Sequence, residues 1–174
     1  MDAGYVFAEG SKLIAGQKLP RSQLLLEYDV LLQLLGELTT ALTGLPLLRV
    51  YWYDGASAGP NPAQVALAYR PNLKLRLGGV DRSGQHGVDQ LIAHDLTEMS
   101  QHRAIEDALL LSGEDEISSA AALAQAHGVR LHLLGISPVR DNQAASLAQA
   151  ADTRRELSDS EVRSFLSKRS PSGS

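Results

Sequence analysis

Residues 107–117 read Asp-Ala-Leu-Leu-Leu-Ser-Gly-Glu-Asp-Glu-Ile, and this stretch decides the fold. Ala108 to Leu111 is wholly apolar, as a strand must be when helices cover both of its faces. Ser112-Gly113 breaks the run, and Gly113 lets the backbone turn without a Cβ clash. A helix of small residues is expected from Glu114 to Ala126, its alanines allowing close approach to a sheet, with Gly128 as its stop. Val129 to Leu134 then gives a second strand, alternating with Arg130 and His132. Strand, turn, helix, strand is the repeating unit of an α/β fold around a parallel sheet.

The same alternation extends toward the N-terminus. Leu73, Leu75 and Leu77 alternate with Lys74 and Arg76, which predicts a strand with one wet face, near a sheet edge. Leu47 to Tyr53 is rich in β-formers and ends at Asp54-Gly55, and Asn61-Pro62 opens a short helix through about Tyr69. From Asp29 to Thr43, Val30, Leu31, Leu34, Leu35, Leu38 and Leu42 recur at helical spacing, with Asp29 as N-cap. Leu24 to Leu26 fits either an extended piece or an earlier helical turn. Gly78-Gly79 and Ser83-Gly84 bound a loop, and a helix follows from Val88 to His102. A last helix is expected from Asn142 to Arg155, and Ser167 to Ser174 reads as a disordered polar tail. The expected division is one domain over 1–157 and a C-terminal segment over 158–174.

Composition narrows the function. The 174 residues suffice for one domain with its own core. Cysteine is absent, which excludes disulfides, thiolate catalysis and Cys-based zinc sites. Glu27, Asp29, Gln33 and Glu37 interrupt the leucine-rich segment from Leu24 to Leu48, so no membrane span is expected. The opening Met-Asp-Ala-Gly-Tyr lacks the basic region and apolar stretch of a secretory signal, and the expected location is the cytoplasm. A formal net charge of −4 gives no basic face for nucleic acid, yet an acidic protein can still be a nuclease if its carboxylates gather in a metal site. There is no Walker loop and no Gly-x-Gly-x-x-Gly. Ser112 lacks the flanking glycines of a nucleophile elbow.

Ligands of open parallel sheets bind beyond the carboxyl ends of the strands. Acidic residues fall at such places: Asp2, Asp54, Asp89 in the first turn of a helix, and Glu114, Asp115 and Glu116 directly after the 108–111 strand. Acids in a first helical turn also favour the helix dipole with no catalysis needed. Carboxylates sharing one crevice are costly unless something positive sits among them, and all-oxygen ligation suits Mg²⁺ or Mn²⁺. Such ions activate water and neutralise a phosphodiester.

Four segments occur in a telling order: Asp2-Ala-Gly-Tyr-Val-Phe7, Gln85-His-Gly-Val-Asp89, Leu91-Ile-Ala-His-Asp-Leu96, and residues 107–117. Together with Gly128-Val-Arg-Leu-His-Leu-Leu-Gly135 they resemble the NYN domain of the PIN-like nuclease superfamily, in its bacterial LabA-like branch, over roughly residues 1–155. The resemblance implies a PIN-like Rossmannoid three-layer fold with a mostly parallel sheet. It also implies a Mg²⁺- or Mn²⁺-dependent ribonuclease. By position, Asp2, Asp89, Glu114 and Glu116 would be the catalytic and metal-holding carboxylates, and Tyr5, His86 and Ser112 would meet the substrate. RNA is the implied partner; a catalytically weak module that binds RNA, a protein partner or a second copy is the competing class.

Three departures stand out. Tyr5 takes a position where many relatives place Asn, His86 replaces the usual Lys, and Glu114 and Glu116 replace aspartates. Each added methylene moves a carboxylate about 1.5 Å outward, and reaction rates are sensitive to shifts of about 1 Å. In the resembling fold, a central strand of five or six apolar residues precedes the first aspartate, whereas only Met1 precedes Asp2. The expectation is that this strand is missing here and that the natural protein starts upstream. Elsewhere, His94, Glu98 and His102 share a helical face, which a solvated surface explains better than zinc. Asp95 and Asp152 read as surface or supporting acids, and at least two of Tyr51, Trp52 and Tyr53 should be core.

Overall fold

The computed structural model describes residues 1–79 and 86–169, with His86 placed by its backbone alone. The chain is α/β, as the 107–117 stretch demands. Five strands run parallel: β2 (Val50–Ala56), β3 (Leu73–Gly79), β4 (Asp107–Leu111), β5 (Arg130–Ile136) and β6 (Thr153–Leu157). β2 pairs with β3, and β5 lies between β4 and β6. β3 is an edge, consistent with the wet face of its Lys74 and Arg76.

Met1 and Asp2 join the two halves. Asp2 bridges Tyr53 of β2 in parallel sense, the Tyr53 amide donates to the Met1 carbonyl at 3.0 Å, and the Asp2 amide donates to the Leu111 carbonyl of β4 at 3.0 Å. The order across the molecule is therefore β3, β2, Met1–Asp2, β4, β5, β6. These two residues hold the place of a central strand's last positions, where the sequence led us to expect that strand to be missing.

Side chains alternate between two apolar layers, as strand geometry requires. Trp52, Leu111, Leu134 and Ile136 enter one layer, covered by α1 (Ala3–Ala15), α2 (Tyr28–Thr43) and α7 (Asp159–Phe165). Tyr53, Leu110, Leu131 and Leu133 enter the other, covered by α4 (His86–Gln101), α5 (Ser118–Ala126) and α6 (Ala145–Ala150). Trp52, only 1% exposed, meets Phe7 and Tyr28 edge-on. Short α3 (Pro62–Ala68) opens with a reciprocal cap between Asn61 and Gln64. Among the described residues no helix is long and apolar enough to cross a membrane.

Four expectations need correction. Residues 3–15 form α1, which the sequence reading left unassigned. Leu24–Leu26 takes the extended one of its two readings, as strand β1 paired antiparallel with β7 (Leu166–Lys168), so Ser167 and Lys168, expected in a disordered tail, are part of a strand. The helix expected over 142–155 stops at Ala150, and Thr153–Leu157 becomes β6, because the Asp152 carboxylate accepts from the Leu131 amide at 2.7 Å and feeds the chain onto the sheet edge. Finally, 158–169 is no appendage: Val162 and Phe165, both fully buried, complete the layer over Trp52.

Candidate metal centre

Chain order reverses at Met1–Asp2. From there the connection runs outward to β2 and β3, then returns to β4 and continues to β5 and β6. Crevices form where such reversals occur, beyond the carboxyl ends of the two strands involved. Here those ends are Asp2 and the Ser112–Glu116 segment after β4.

Asp2 is both strand end and N-cap of α1. One carboxylate oxygen accepts from the Tyr5 amide at 3.3 Å, the other from the Ser112 hydroxyl at 3.4 Å, and the residue is 3% exposed. Burial pushes its carboxyl above the ordinary range.

Asp89 enters from the first turn of α4. That helix start is pressed on the end of β3: a Cβ on Gly78 would lie 2.7 Å from the Gly87 carbonyl carbon, and one on Gly87 would lie 2.8 Å from the Gly79 nitrogen. Only glycine permits this backbone-to-backbone approach. Glu114 and Glu116 emerge where β4 breaks into a short 3₁₀ turn before α5. One carboxylate oxygen from each of Asp89, Glu114 and Glu116 lies within 4.8 Å of the others. Distant stretches of chain thus converge. Burial, then the charges of Asp2, Glu114 and Glu116, raise the Asp89 carboxyl from 3.8 to about 7. Burial, then Asp2 and Glu116, raise Glu114 as well. Among the described residues no Lys or Arg forms an ion pair with any of the four.

Three of the four expected ligands therefore sit together, and Asp2 stands outside that set with its oxygens already engaged. Two of the expected substrate contacts are corrected. Tyr5 is buried; its hydroxyl donates to Asn142 Oδ1 at 2.6 Å and accepts from the Ile136 amide at 3.1 Å, so it props the wall rather than facing solvent. Ser112 is fully buried and holds Asp2. The side chain of His86, the third expected substrate contact, lies outside the described residues.

The remaining acids have other work. Asp54 is neutralised by Arg21 at 2.7 Å and held by Gln64 at 2.8 Å. Asp95 is not a surface acid: it is 9% exposed, takes two bonds from Arg76 at 2.8 and 2.7 Å and one from the Tyr53 hydroxyl at 3.1 Å, and fastens α4 to the sheet. Asp29 pairs with Arg70, while Glu27 precedes α2 as its N-cap. His94 and Glu98 on α4 and His102 just past its end are all exposed, as a solvated face should be. Sequence reasoning missed Asn142 and Gln143, whose side chains fix the Gly113 turn through Tyr5 and the Ser112 carbonyl.

The shift on Asp89 has a consequence for stability. Its folded pKa exceeds its unfolded one, so the favourable contribution is complete below about pH 4 and lost as pH rises through about 7. In chelator, Asp89→Asn is expected to gain on the wild type by about 1–2 kcal/mol between pH 4.5 and 8, a figure reduced for the half-exposed carboxyl. Urea unfolding at both pH values measures this, and parallel curves for the two proteins would contradict it.

No protein-family model matches the chain, and no solved structure matches it. It is similar to uncharacterized protein y4oD of Sinorhizobium fredii (strain NBRC 101917 / NGR234), 46% identical over 108 residues. The match covers 62% of this chain and 50% of that protein, so the chain spans about half the length of the relative.

Proposed function

We propose that the protein is a metal-dependent phosphodiesterase acting on RNA, a ribonuclease of the PIN-like type, with Asp89, Glu114 and Glu116 holding Mg²⁺ or Mn²⁺. The observation that carries this reading is the convergence of three carboxylates without a cationic partner among the described residues. Burial first, and then the repulsion of the neighbouring carboxylates, raises Asp89, and a hard cation among them offsets both. The donors are all oxygen, which favours Mg²⁺ or Mn²⁺ over softer metals. The ribonuclease class rests on the resemblance of residues 2–7, 85–89 and 107–117 to the NYN domain. The position of the cluster at the chain reversal agrees with it.

When bound, the cation supplies Lewis acidity and neutralises charge on the phosphodiester. The protein's own groups do the rest. The glycine contact beneath α4 sets how closely the first turn that carries Asp89 approaches the end of β3. Glu114 and Glu116 are exposed and meet incoming substrate and water. A carboxylate oxygen left unengaged accepts the proton of the attacking water. Asp2 keeps negative charge close behind the three while Ser112 holds its orientation.

One observation favours the second reading, a weak or inactive RNA-binding module. Asp2 is spent on capping α1 and on Ser112 instead of joining the set. An end-labelled single-stranded RNA separates the two. Cleavage with Mg²⁺ or Mn²⁺ that chelator stops is the expected result; binding that survives chelator with no product under either metal would leave only the module.

A further inference from the structure

β6 closes one end of the sheet, and among the described residues no strand lies beyond it. In a parallel ladder, alternate residues turn both backbone groups to the same neighbour. The Ser137 amide, next after β5, donates to the Leu157 carbonyl at 3.3 Å, so Leu157, Arg155 and Thr153 face β5. The N–H and C=O of Arg154 and Glu156 are therefore turned outward. Both residues are exposed, and among the described residues no backbone group beyond β5 pairs with them.

An open edge is a template for another strand, and proteins commonly blunt it with charged side chains. β3, at the far end, shows that device against its own kind. The Val50 amide of β2 donates to the Asn72 carbonyl, so the even-numbered residues of β3 face β2 and Leu73, Leu75 and Leu77 face outward. Two copies of β3 laid antiparallel, with Lys74, Leu75 or Arg76 on the axis, set one cation against another. Like charges directly opposite are destabilising.

β6 carries the reverse arrangement. It reads Thr-Arg-Arg-Glu-Leu, with opposite charges at its two outward positions. Antiparallel pairing of two β6 strands about an axis through Arg155 sets Arg154 against Glu156 of the second copy, and Glu156 against its Arg154. Each such pair exchanges both of its backbone bonds, with opposite charges side by side. Arg155 falls on the axis, and Glu161 holds its guanidinium at 2.6 Å, so two unpaired cations do not meet there.

We propose that the protein forms a symmetric dimer through β6, a second copy adding its own β6 antiparallel so that one sheet runs through both. The alternation of charge selects a second copy, because this strand is its own complement. The strands of the two copies run in opposite directions, so their carboxylate clusters open on opposite sides and neither copy covers the other's site. The inference stands apart from the ribonuclease reading.

Sedimentation of the full chain from micromolar to submillimolar concentration tests this, together with amide exchange at Arg154 and Glu156. The wild type is expected to become dimeric as concentration rises, with exchange at those two amides slowing in step. Glu156→Arg and Arg154→Glu each set like charges opposite one another, and each is expected to weaken the dimer at least about tenfold while melting as the wild type does. The double variant Arg154→Glu/Glu156→Arg, and an equimolar mixture of the two single variants, bring opposite charges together again and are expected to regain the dimer. A wild type that stays monomeric throughout would overturn the proposal. So would a dimer that survives both single reversals, or a double variant as weak as either single one.

Discussion

Glu114→Gln is expected to lower metal-dependent RNA cleavage by roughly 10²–10³-fold, about 2.7–4 kcal/mol of transition-state stabilisation. The substitution keeps shape and hydrogen-bonding capacity but removes one of three charges that converge within 4.8 Å. It also removes a charge that raises Asp89. In chelator, therefore, the variant should be as stable as the wild type or more so, and a loss of activity cannot be ascribed to unfolding. Glu116→Gln should behave in the same direction. Cleavage rates measured alongside metal-free melting curves check both halves. Unchanged cleavage by Glu114→Gln would remove this carboxylate from the mechanism.

Gly113→Ala is expected to cost about 2–3 kcal/mol, or about 4–12 °C in melting midpoint for a chain of this size. An added Cβ would lie 2.0 Å from the Asn142 carbonyl oxygen and 2.8 Å from Tyr5 Cε2. Neither can yield cheaply. The Asn142 side chain donates to the Ile136 carbonyl at 2.8 Å and accepts from Tyr5 at 2.6 Å, and the Gly113 carbonyl itself accepts from the Ala144 amide at 2.9 Å. Relief therefore requires the turn that carries Glu114 and Glu116 to move. Activity should fall further than stability explains, because the two carboxylates leave their position opposite Asp89. Circular dichroism melting and Mn²⁺ affinity measure the two effects. A variant with wild-type values of both would show that the Gly113 contact does not place the site.

The alternation of short apolar strands with helices was legible because each parallel strand needs apolar residues on both faces. β4 and β5 could be read almost to the residue for that reason. The helix α1 had a signal that went unused: Ala3, Val6, Phe7, Gly10 and Ile14 recur at helical spacing, and Gly10 interrupts it only because α1 lies against Leu166, 2.4 Å from where a Cβ would be. β6 was hidden because Thr-Arg-Arg-Glu-Leu has one buried residue and lies at an edge, where local polarity says nothing about pairing. The polar end at Ser167-Lys168 is ordered by backbone pairing with Leu24 and Leu25, which composition does not report.

The site was legible as a set of acids after strand ends, but not as geometry. Asp89 lies 25 and 27 positions before Glu114 and Glu116, and only the chain reversal brings it to them. Asp2 was expected beside them, but a residue that must cap α1 and receive Ser112 has few free lone pairs. Tyr5 and Ser112 looked like substrate contacts because they flank acids; burial gives them to the scaffold instead. Asp54 and Asp95 show why spacing alone misleads, since arginines far away in sequence claim both.

The most direct test is Mn²⁺ binding followed by electron paramagnetic resonance, comparing the wild type with Asp89→Asn/Glu114→Gln/Glu116→Gln. The wild type is expected to remove free Mn²⁺ from solution at neutral pH, and the triple variant, folded and at the same concentration, to leave it free. Equal uptake by both proteins, or none by the wild type at millimolar Mn²⁺, would contradict the proposal that these three carboxylates share an ion.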